Sequence, residues 1–334
     1  MKKYLFLFLA AVCFGCSRNS GIDKHWNERD NVVNVHDQIR EIPMEEVLIS
    51  SISRLYLVDN YLIIMDANPY DKYIHLFDKN DFHPVMSAIS RGQGPGEIVM
   101  MGYIGAVEGS RTFYITDHGK LKIFGYELDS LLSNPRYMPF EKNFINTVQF
   151  PDKYQFVNDS ICIGRMIAPT GNSGFNQSLG KWNMNTGEIV PIPNFHPEIH
   201  KRRTMFAVST EDGIIVECYL KVDLMTISDL DGQLKYNVRG PNRLSDSRRL
   251  LAYGKVAICG NRIIASYSGE DNLPPMEHYA TKFIVFDLEG NYEQALDTKR
   301  LISDFCYDRE NNRLIIIFND EMQFGYLSLD GIVR

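Results

Sequence analysis

The sequence lacks the motifs by which several enzyme and nucleic-acid-binding classes are recognised. After residue 16 it contains no C-x-x-C pair, and nowhere does it contain H-E-x-x-H, G-x-S-x-G or a P-loop ending in Lys-Ser or Lys-Thr. A zinc ribbon, a zincin, an α/β-hydrolase nucleophile and a P-loop nucleotide site are therefore not indicated. Basic residues are few as well: 35 Lys and Arg stand against 42 Asp and Glu, so no nucleic-acid partner is expected.

Long apolar runs are also missing, apart from a short one at the N-terminus. Lys2 and Lys3 precede an unbroken apolar segment, residues 4–12, which is too short to span a bilayer. A basic start followed by such a segment is typical of a secretory signal peptide. Because the small residue Gly15 directly precedes Cys16, the segment resembles a bacterial lipoprotein signal with its lipid-attachment cysteine.

These features predict how the chain is processed. We predict a signal peptide over residues 1–15, lipid attachment at Cys16 and a flexible polar tether over residues 16–30. An ordinary signal peptide that is cut elsewhere is the alternative. Removal of the signal peptide leaves a net charge of −9, so the lipid rather than a basic surface is expected to hold the protein to a membrane.

Four cysteines follow the N-terminal segment, and each lies in an apolar, strand-like run. They are Cys162, Cys218, Cys259 and Cys306. An even number of cysteines in an exported protein permits disulfides, but buried free cysteine behaves as a small hydrophobe. We expect the four to be free and buried, with two disulfides as the alternative.

Long helical periodicity is absent, and short strand-like runs between turn signals take its place. Runs such as residues 61–65 and 313–318 are four to six residues long and rich in β-branched and aromatic side chains. The best helical segment, residues 127–132, covers less than two turns and precedes Pro135. The chain is therefore predicted to be all-β.

An apolar strand that ends in a hairpin turn recurs about every 50 residues, which is the period of a propeller blade. The six occurrences are residues 76–80, 123–129, 182–187, 227–232, 285–290 and 326–331. We predict a six-bladed β-propeller of four-stranded blades over residues 31–334. The last unit lacks an outer strand, so a strand within residues 31–50 is expected to complete it and close the ring. A pair of β-sandwiches is the alternative, but it does not account for the period.

Two segments carry a resemblance to a known group of proteins. Residues 113–124 resemble an NHL-type repeat, and the glycine-rich segment Arg91–Glu97 resembles the link that precedes such a repeat. After a lipoprotein signal, this link is similar to that of the TolB-like and NHL-like six-bladed propeller lipoproteins of Bacteroidetes. The resemblance implies an outer-membrane lipoprotein. Residues 17–21 carry no acidic side chain of the kind found in surface-displayed members, which favours the periplasmic face.

In a propeller, the links between blades and the loops between the two middle strands of each blade emerge on the same face. The link at residues 91–97 and the long predicted loops at residues 168–181 and 268–281 would therefore lie together, and long loops in a compact fold are often functional. We name this predicted surface the link face. The candidate binding residues on it are Tyr70, Arg91, Gln93, Glu97, Asn172, Asn176, His278 and Tyr279. A purely structural role for the link, with its glycines permitting a sharp turn between blades, is the alternative.

The function predicted from these features is ligand binding or protein interaction at the cell envelope, through a membrane-anchored propeller. The sequence does not specify whether the ligand is a protein, a glycan or a small molecule. No catalytic residue, metal ligand or cofactor is predicted. The alternative is a propeller hydrolase or lyase with a metal ion at the mouth of the channel, for which Asp66, Asp117 and His118 at strand ends would be the available ligands.

Overall fold

The computed structural model of the protein is an all-β ring in which inner strands surround a central axis. It describes residues 22–333 except 28–29, 45–46, 135, 143–149, 172–173, 194–198, 200–201, 243–249 and 272–278. The predicted signal peptide and Cys16 lie outside the described residues. No helix in the described part of the chain is long and apolar enough to cross a membrane.

The strands of the described residues form six blades of four strands each, as the sequence predicts. Three short strands precede the blades: β1 (Asp23–His25), β2 (Val32–Asn34) and β3 (Arg40–Glu41), with a 3-10 turn, His36–Gln38, between the last two. Blade 1 contains β4 (Ser53–Val58), β5 (Tyr61–Asp66), β6 (Lys72–Asp78) and β7 (Pro84–Ser90). Blade 2 contains β8 (Met101–Ala106), β9 (Thr112–Asp117), β10 (Lys122–Glu127) and β11 (Phe140–Lys142), with helix α1 (Leu128–Ser133) after β10. Blade 3 contains β12 (Phe150–Phe156), β13 (Ile161–Pro169), β14 (Phe175–Asn183) and β15 (Ile189–Ile192).

The remaining three blades continue the pattern, with one long strand shared between two of them. Blade 4 contains β16 (Thr204–Ser209), β17 (Ile214–Tyr219), β18 (Leu224–Asp229) and β19 (Leu234–Arg239). Blade 5 contains β20 (Leu250–Cys259), β21 (Arg262–Asp271), β22 (Ala280–Asp287) and the first half of β23 (Tyr292–Asp308). Blade 6 contains the second half of β23, then β24 (Arg313–Phe318), β25 (Phe324–Ser328) and β3.

The repeated hairpin turns have the chemistry that the sequence pattern predicts. In the turn from β18 to β19, a carboxylate oxygen of Asp229 accepts hydrogen bonds from the backbone N–H groups of Asp231 and Gln233, at 2.9 and 2.8 Å. Gly232 follows with φ of 86°, a left-handed conformation that glycine adopts without steric cost. The turn from β22 to β23 repeats this arrangement around Asp287 and Gly290.

The ring is closed by the N-terminal part of the chain, as expected. Strand β3 pairs antiparallel with β25, with Arg40 opposite Tyr326 and Glu41 opposite Gly325. The N–H of Ile42 extends the pairing with a hydrogen bond of 2.9 Å to the carbonyl of Phe324. Because β3 supplies the fourth strand of blade 6, the two ends of the propeller are held in one sheet.

Closure is reinforced by a buried ion pair at the interface of blades 6 and 1. The Arg313 guanidinium donates to the Asp308 carboxylate at 3.0 Å, and both side chains are almost fully buried. Arg313 also donates to the carbonyl of Lys79 in blade 1, and it lies over the rings of Phe82 and Tyr326. A cation buried in this way must be paired, which fixes the two blades relative to each other.

The structure corrects the prediction of a flexible tether at residues 22–27. Strand β1 pairs in parallel with β19, the outer strand of blade 4, and β2 pairs in parallel with β23 in blade 5. The chain therefore runs along the rim of blades 4 and 5 before β3 completes blade 6. The cause is Trp26, which is 6% exposed and fills a space among aromatic side chains of blade 5. We call residues 22–44 the N-terminal strap.

The core lies between the faces of neighbouring blades, where apolar side chains from adjacent sheets interlock. Phe283 of blade 5 contacts Phe305 of blade 6, for example, with ring centroids 5.0 Å apart. The four cysteines after the N-terminal segment are free, as expected, and three of them are buried in this core while Cys306 is partly exposed. Burial raises the pKa of the Cys162, Cys218 and Cys259 thiols, which therefore pack as small apolar groups.

Candidate functional site: a cavity on the propeller axis

A cavity of about 640 Å³ lies on the axis of the ring, and the inner strands of all six blades line it. Its lining extends from the middle of the inner strands to the turns that join the first and second strands of the blades. We call this the axial cavity, and the side on which those turns surround it the turn face. The turn face is opposite the link face because each inner strand runs from a link to such a turn.

Aromatic and aliphatic side chains form much of the wall. The lining aromatic residues are Tyr56, Tyr103, Tyr154, Phe156, Phe206, Phe305 and Tyr307. The rings of Tyr56, Tyr103 and Tyr154 follow one another in edge-on contacts of 5.2 and 5.3 Å, which connect blades 1, 2 and 3 around the axis. Edge-to-face stacking of this kind holds the wall in a defined shape.

Six charged side chains lie near one another at the end of the cavity farther from the turn face, and two of them, Lys153 and Lys255, line the cavity itself. Arg165 belongs to β13 and the others belong to inner strands; the members are Arg54, Asp152, Lys153, Arg165, Lys255 and Asp304, which we call the axial charge layer. Two ion pairs are fixed within it. Arg165 binds Asp152 through two hydrogen bonds of 2.8 and 2.6 Å, and the Lys255 ammonium lies 2.9 Å from the Asp304 carboxylate.

Lys153 is a buried cation that takes part in neither of these two ion pairs. It is 8% exposed, lines the cavity and has no hydrogen bond or ion pair to any residue that the structure describes. Its ammonium lies 5.4 Å from the centre of the Phe206 ring. Burial and, to a smaller extent, the nearby cations Lys255, Arg165 and Arg54 together lower the pKa of Lys153 to about 7, against the opposing effect of Asp304.

Tyr56 lies beside Arg54 in this part of the channel. Its hydroxyl oxygen is fully buried and is close to the Arg54 side chain and the backbone of Ile104. Burial raises the pKa of Tyr56 to about 12, although the Arg54 guanidinium beside it acts in the opposite direction. The inner end of the cavity thus presents Lys153, a cation that no carboxylate of the described residues neutralises by a direct ion pair.

An ion-pair bridge crosses the mouth of the cavity at the turn face. Arg309 in blade 6 contacts Glu108 in blade 2 and Glu211 in blade 4, each at 3.2 Å. All three side chains are exposed, so the pairs contribute little to stability. A ligand that enters from this face would have to displace the Arg309 side chain.

The link at residues 91–97 is held by the neighbouring blade. The Glu97 carboxylate accepts a hydrogen bond of 2.8 Å from the N–H of Gly94, and the Lys120 ammonium donates to the carbonyls of Gly94 and Glu97. A Cβ atom at Gly92 would lie 2.0 Å from the Glu97 carboxylate, so a larger residue at this position would displace the Glu97 side chain. Glu97 thus has a contact within the link, while Arg91 and Gln93 are exposed.

The other candidate residues are spread over the link face. Tyr70 lies in the loop between β5 and β6 and is fully exposed, and Asn176 is an exposed residue of β14. Tyr279 is half-buried before β22, whereas Asn172 and His278 lie outside the described residues. None of the described candidates lines the axial cavity, which opens on the opposite face. A binding role for the link face stays a prediction.

The axial charge layer was not predicted from the sequence, because the candidate binding residues were taken from the loops and links. A signal was nevertheless present: Arg54, Lys153 and Lys255 interrupt apolar runs that the repeat assigns to inner strands. A charged residue at such a position faces the axis or an adjacent blade and must be compensated there. What the sequence could not give is the register that brings residues from different blades to one level.

Among the residues that the structure describes, the carboxylates near the axis are engaged by other side chains or by backbone groups. Asp152 and Asp304 are each bound by a cation, and Glu217 is bound by Arg202. Asp66 and Asp117 accept hydrogen bonds from backbone N–H groups of the turns beside them, which is ordinary strand-end chemistry. A divalent cation would have to compete with these partners, so the geometry does not favour the metal-dependent enzyme.

Comparison with known proteins agrees with this architecture. Residues 30–167 match the profile of the family DUF5128, described as a 6-bladed beta-propeller. The match covers blades 1 and 2 and the beginning of blade 3. It supports the six-bladed propeller in the resemblance noted above, whereas the narrower NHL-like or TolB-like lipoprotein assignment stays a prediction. A comparison with curated protein sequences finds no match.

Solved structures with the same fold include proteins from Bacteroides. A DUF4221 member from Bacteroides vulgatus superposes with a TM-score of 0.60 at 13% identity, over 86% of this chain and 94% of that one. A luciferin-regenerating enzyme gives 0.56 at 8% identity, over the same shares of the two chains. A Bacteroides fragilis protein provisionally described as exported gives 0.52 at 9% identity, over 88% and 87%. At these identities the likeness shows the fold alone.

Proposed function

We propose that the protein is an exported, lipid-anchored β-propeller that binds a ligand in its axial cavity and acts as a binding module at the cell envelope. The observation that carries the proposal is the cavity itself, a concave site of about 640 Å³ with aromatic walls and a few converging polar groups. Pockets of this size and composition are the usual sites of small-molecule binding. The closed ring is a rigid support for such a site, which favours binding without a large conformational change.

The anchor rests on the N-terminal sequence and on a structural neighbour provisionally described as exported. Lipid attachment at Cys16 would place the acyl chains seven residues before β1, a span of at most about 25 Å when fully extended. Substitution of Cys16 by serine is expected to move the protein from the membrane fraction to the soluble fraction and to remove the lipid mass. A variant that stays in the membrane fraction would contradict the anchor. The outer membrane, at its periplasmic face, is the location we favour.

The link face is proposed as a second surface, for a partner protein. Its exposed described residues include Tyr70, Arg91 and Gln93, which present two hydrogen-bonding groups and an aromatic ring without a structural task of their own. Loops carried on a rigid scaffold are common contact surfaces. Replacement of both Arg91 and Tyr279 by alanine is expected to release a co-purifying protein, and full retention of that protein would contradict this role.

The proposal is tested by purification of the lipidated protein from its native membrane, with mass spectrometry of everything that accompanies it. Ser209→Trp places a large side chain among the residues that line the cavity near its mouth, whereas Thr186→Trp adds the same side chain to an exposed turn of blade 3. We expect a stoichiometric ligand with the wild type and with the Thr186 variant, and its loss with the Ser209 variant. Equal retention by all three proteins, or no ligand with any of them, would contradict binding in the cavity.

A further inference from the structure

Building on the proposed ligand-binding function, we infer that the inner end of the axial cavity is a site for an anionic group. The group is a carboxylate or a tetrahedral oxyanion of a small organic ligand, and Lys153 is its main partner. This assigns a chemical class to the ligand and an orientation to its binding, with the anionic end inward.

The axial charge layer contains more positively than negatively charged side chains. It contains four cationic side chains and two carboxylates, and both carboxylates are already engaged, by Arg165 and by Lys255. Of the two cations left without a carboxylate, Arg54 is exposed, so Lys153 is the buried excess of positive charge in a protein whose net charge is −7. A cleft that concentrates one sign of charge between low-dielectric walls attracts ions of the opposite sign.

Lys153 has neither an ion pair nor a hydrogen bond with any residue that the structure describes. A cation in a buried position without an acceptor is unusual, because buried charges are normally paired. The described residues offer Lys153 only the face of Phe206, and the cations Lys255 and Arg165 lie nearby. An anion in the cavity would supply the missing acceptor, because Lys153 lines the cavity.

The cavity extends beyond the charge layer and is large enough for an organic ligand. Its volume of about 640 Å³ lies within the range of roughly 300–1,000 Å³ that is typical of pockets for small organic ligands, so there is room for more than an inorganic ion. Between the layer and the mouth, the wall is formed by residues such as Phe156, Phe206 and Phe305. This order suits a ligand whose apolar or ring-shaped body follows its anionic group into the cavity.

The site couples binding to proton uptake. Because burial and the cations Lys255, Arg165 and Arg54 lower the pKa of Lys153 to about 7, a fraction of the lysines is neutral at neutral pH. A bound anion favours the charged ammonium, so binding takes up a proton where Lys153 was neutral. Asp304, the carboxylate that acts on Lys153, is held by Lys255, and Asp152 is held by Arg165.

The experiment uses sulfate and acetate as probes, since neither titrates between pH 6 and 8.5 and they represent the two oxyanion geometries. Affinities are measured by calorimetry at constant ionic strength, on the chain from residue 16 with Cys16→Ser. The variants are Lys153→Met, which keeps the shape without the charge, Lys153→Arg, which keeps the charge at every pH, and the exposed control Lys235→Met. Whichever probe binds more tightly identifies the preferred geometry.

We expect wild type and the Lys235 variant to bind a probe at pH 6 and to bind it roughly tenfold more weakly at pH 8.5, because Lys153 loses its proton between these values. Lys153→Met should bind at least tenfold more weakly than wild type at pH 6, and Lys153→Arg should lose most of the pH dependence. Wild-type binding of neither probe, or unchanged binding by Lys153→Met, would overturn the inference. A neutral ligand recovered from the native protein in a cavity-dependent manner would also overturn it while leaving the proposed function intact.

Discussion

The indole N–H of Trp26 donates a hydrogen bond of 3.1 Å to the hydroxyl of Tyr253, 227 residues farther along the chain. The contact is buried, and the Trp26 ring also stacks on Tyr292 at 5.5 Å. Tyr253 lies on the inner strand of blade 5, and Tyr292 lies on its outer strand. The N-terminal strap is therefore anchored across a whole blade before it reaches the closing strand.

Removal of this anchor should destabilise the propeller. We predict that Trp26→Ala lowers the free energy of unfolding by about 3–5 kcal/mol, because a large buried aromatic side chain leaves a cavity. Trp26→Phe should recover a substantial part of the loss, since it restores ring packing without the hydrogen bond to Tyr253. Chemical denaturation followed by circular dichroism measures both. Wild-type stability of the alanine variant would show that the strap is not part of the cooperative unit.

Ring closure depends on the buried pair of Arg313 and Asp308. We predict that Arg313→Met lowers the free energy of unfolding by about 3–5 kcal/mol, because the buried Asp308 carboxylate loses its cation and keeps only the hydrogen bonds from Asn311. The double variant Arg313→Met, Asp308→Leu should be more stable than Arg313→Met, since it contains neither charge of the pair. Equilibrium denaturation of the two variants and of Asp308→Leu completes the cycle. A double variant that is less stable than both single variants would contradict this account.

Much of the fold follows from the sequence, because blade-sized repeats leave regular signals. Aspartate and glycine in turns such as Asp229 to Gly232 mark the hairpins, and the missing last strand shows where the ring must close. The strap escaped prediction because β1 consists of three residues and is stabilised by Trp26, whose partners lie more than two hundred positions away. The polar composition of residues 17–30 indicated a flexible tether. Residues 22–27 are instead held on the propeller by the packing of Trp26 against blade 5.

The candidate site was predicted less completely than the fold. The loops of the link face were found from length and composition, but the axial charge layer depends on inner-strand register, which no local pattern encodes. Lys153 illustrates this limit, since the cations that act most strongly on it, Lys255 and Arg165, come from a different blade and a different strand. A charged residue inside a predicted inner strand is the feature to examine in comparable sequences.

Lys153 should give the stability of the protein a distinctive pH dependence. Its pKa is lowered from 10.5 to about 7 in the folded state, so between these values the unfolded chain binds more protons and stability rises with pH. Relative to Lys153→Met, the wild type should gain about 2 kcal/mol between pH 6 and pH 8.5. His75 and His118, whose pKa values burial also lowers, are present in both proteins and cancel in the comparison.

That pH dependence is measured by denaturation of both proteins in the absence of oxyanions. We also expect Lys153→Met to be at least as stable as wild type at pH 6, because it replaces an unpaired buried charge by an apolar side chain of similar size. Parallel pH profiles for the two proteins would contradict the assignment of a neutral-range pKa to Lys153.

The four free cysteines predict a simple pattern of thiol reactivity. Burial raises the pKa of Cys306 to about 12 and raises those of the other three thiols as well, so almost no thiolate is present at pH 8. In the Cys16→Ser chain, a disulfide reagent that detects thiols should react slowly with the native protein and with four thiols after unfolding. Fewer than four thiols in the unfolded, non-reduced protein would indicate a disulfide and contradict the structure.

The central claim is that the axial cavity holds an anionic group at Lys153. Its most direct test is a crystal of the Cys16→Ser chain grown near pH 6 and soaked with selenate, with the selenium located by anomalous scattering. We predict a peak on the propeller axis within hydrogen-bonding distance of the Lys153 ammonium, absent from crystals of Lys153→Met treated in the same way. Selenate peaks confined to the outer surface, or an axial peak that persists in Lys153→Met, would contradict the claim.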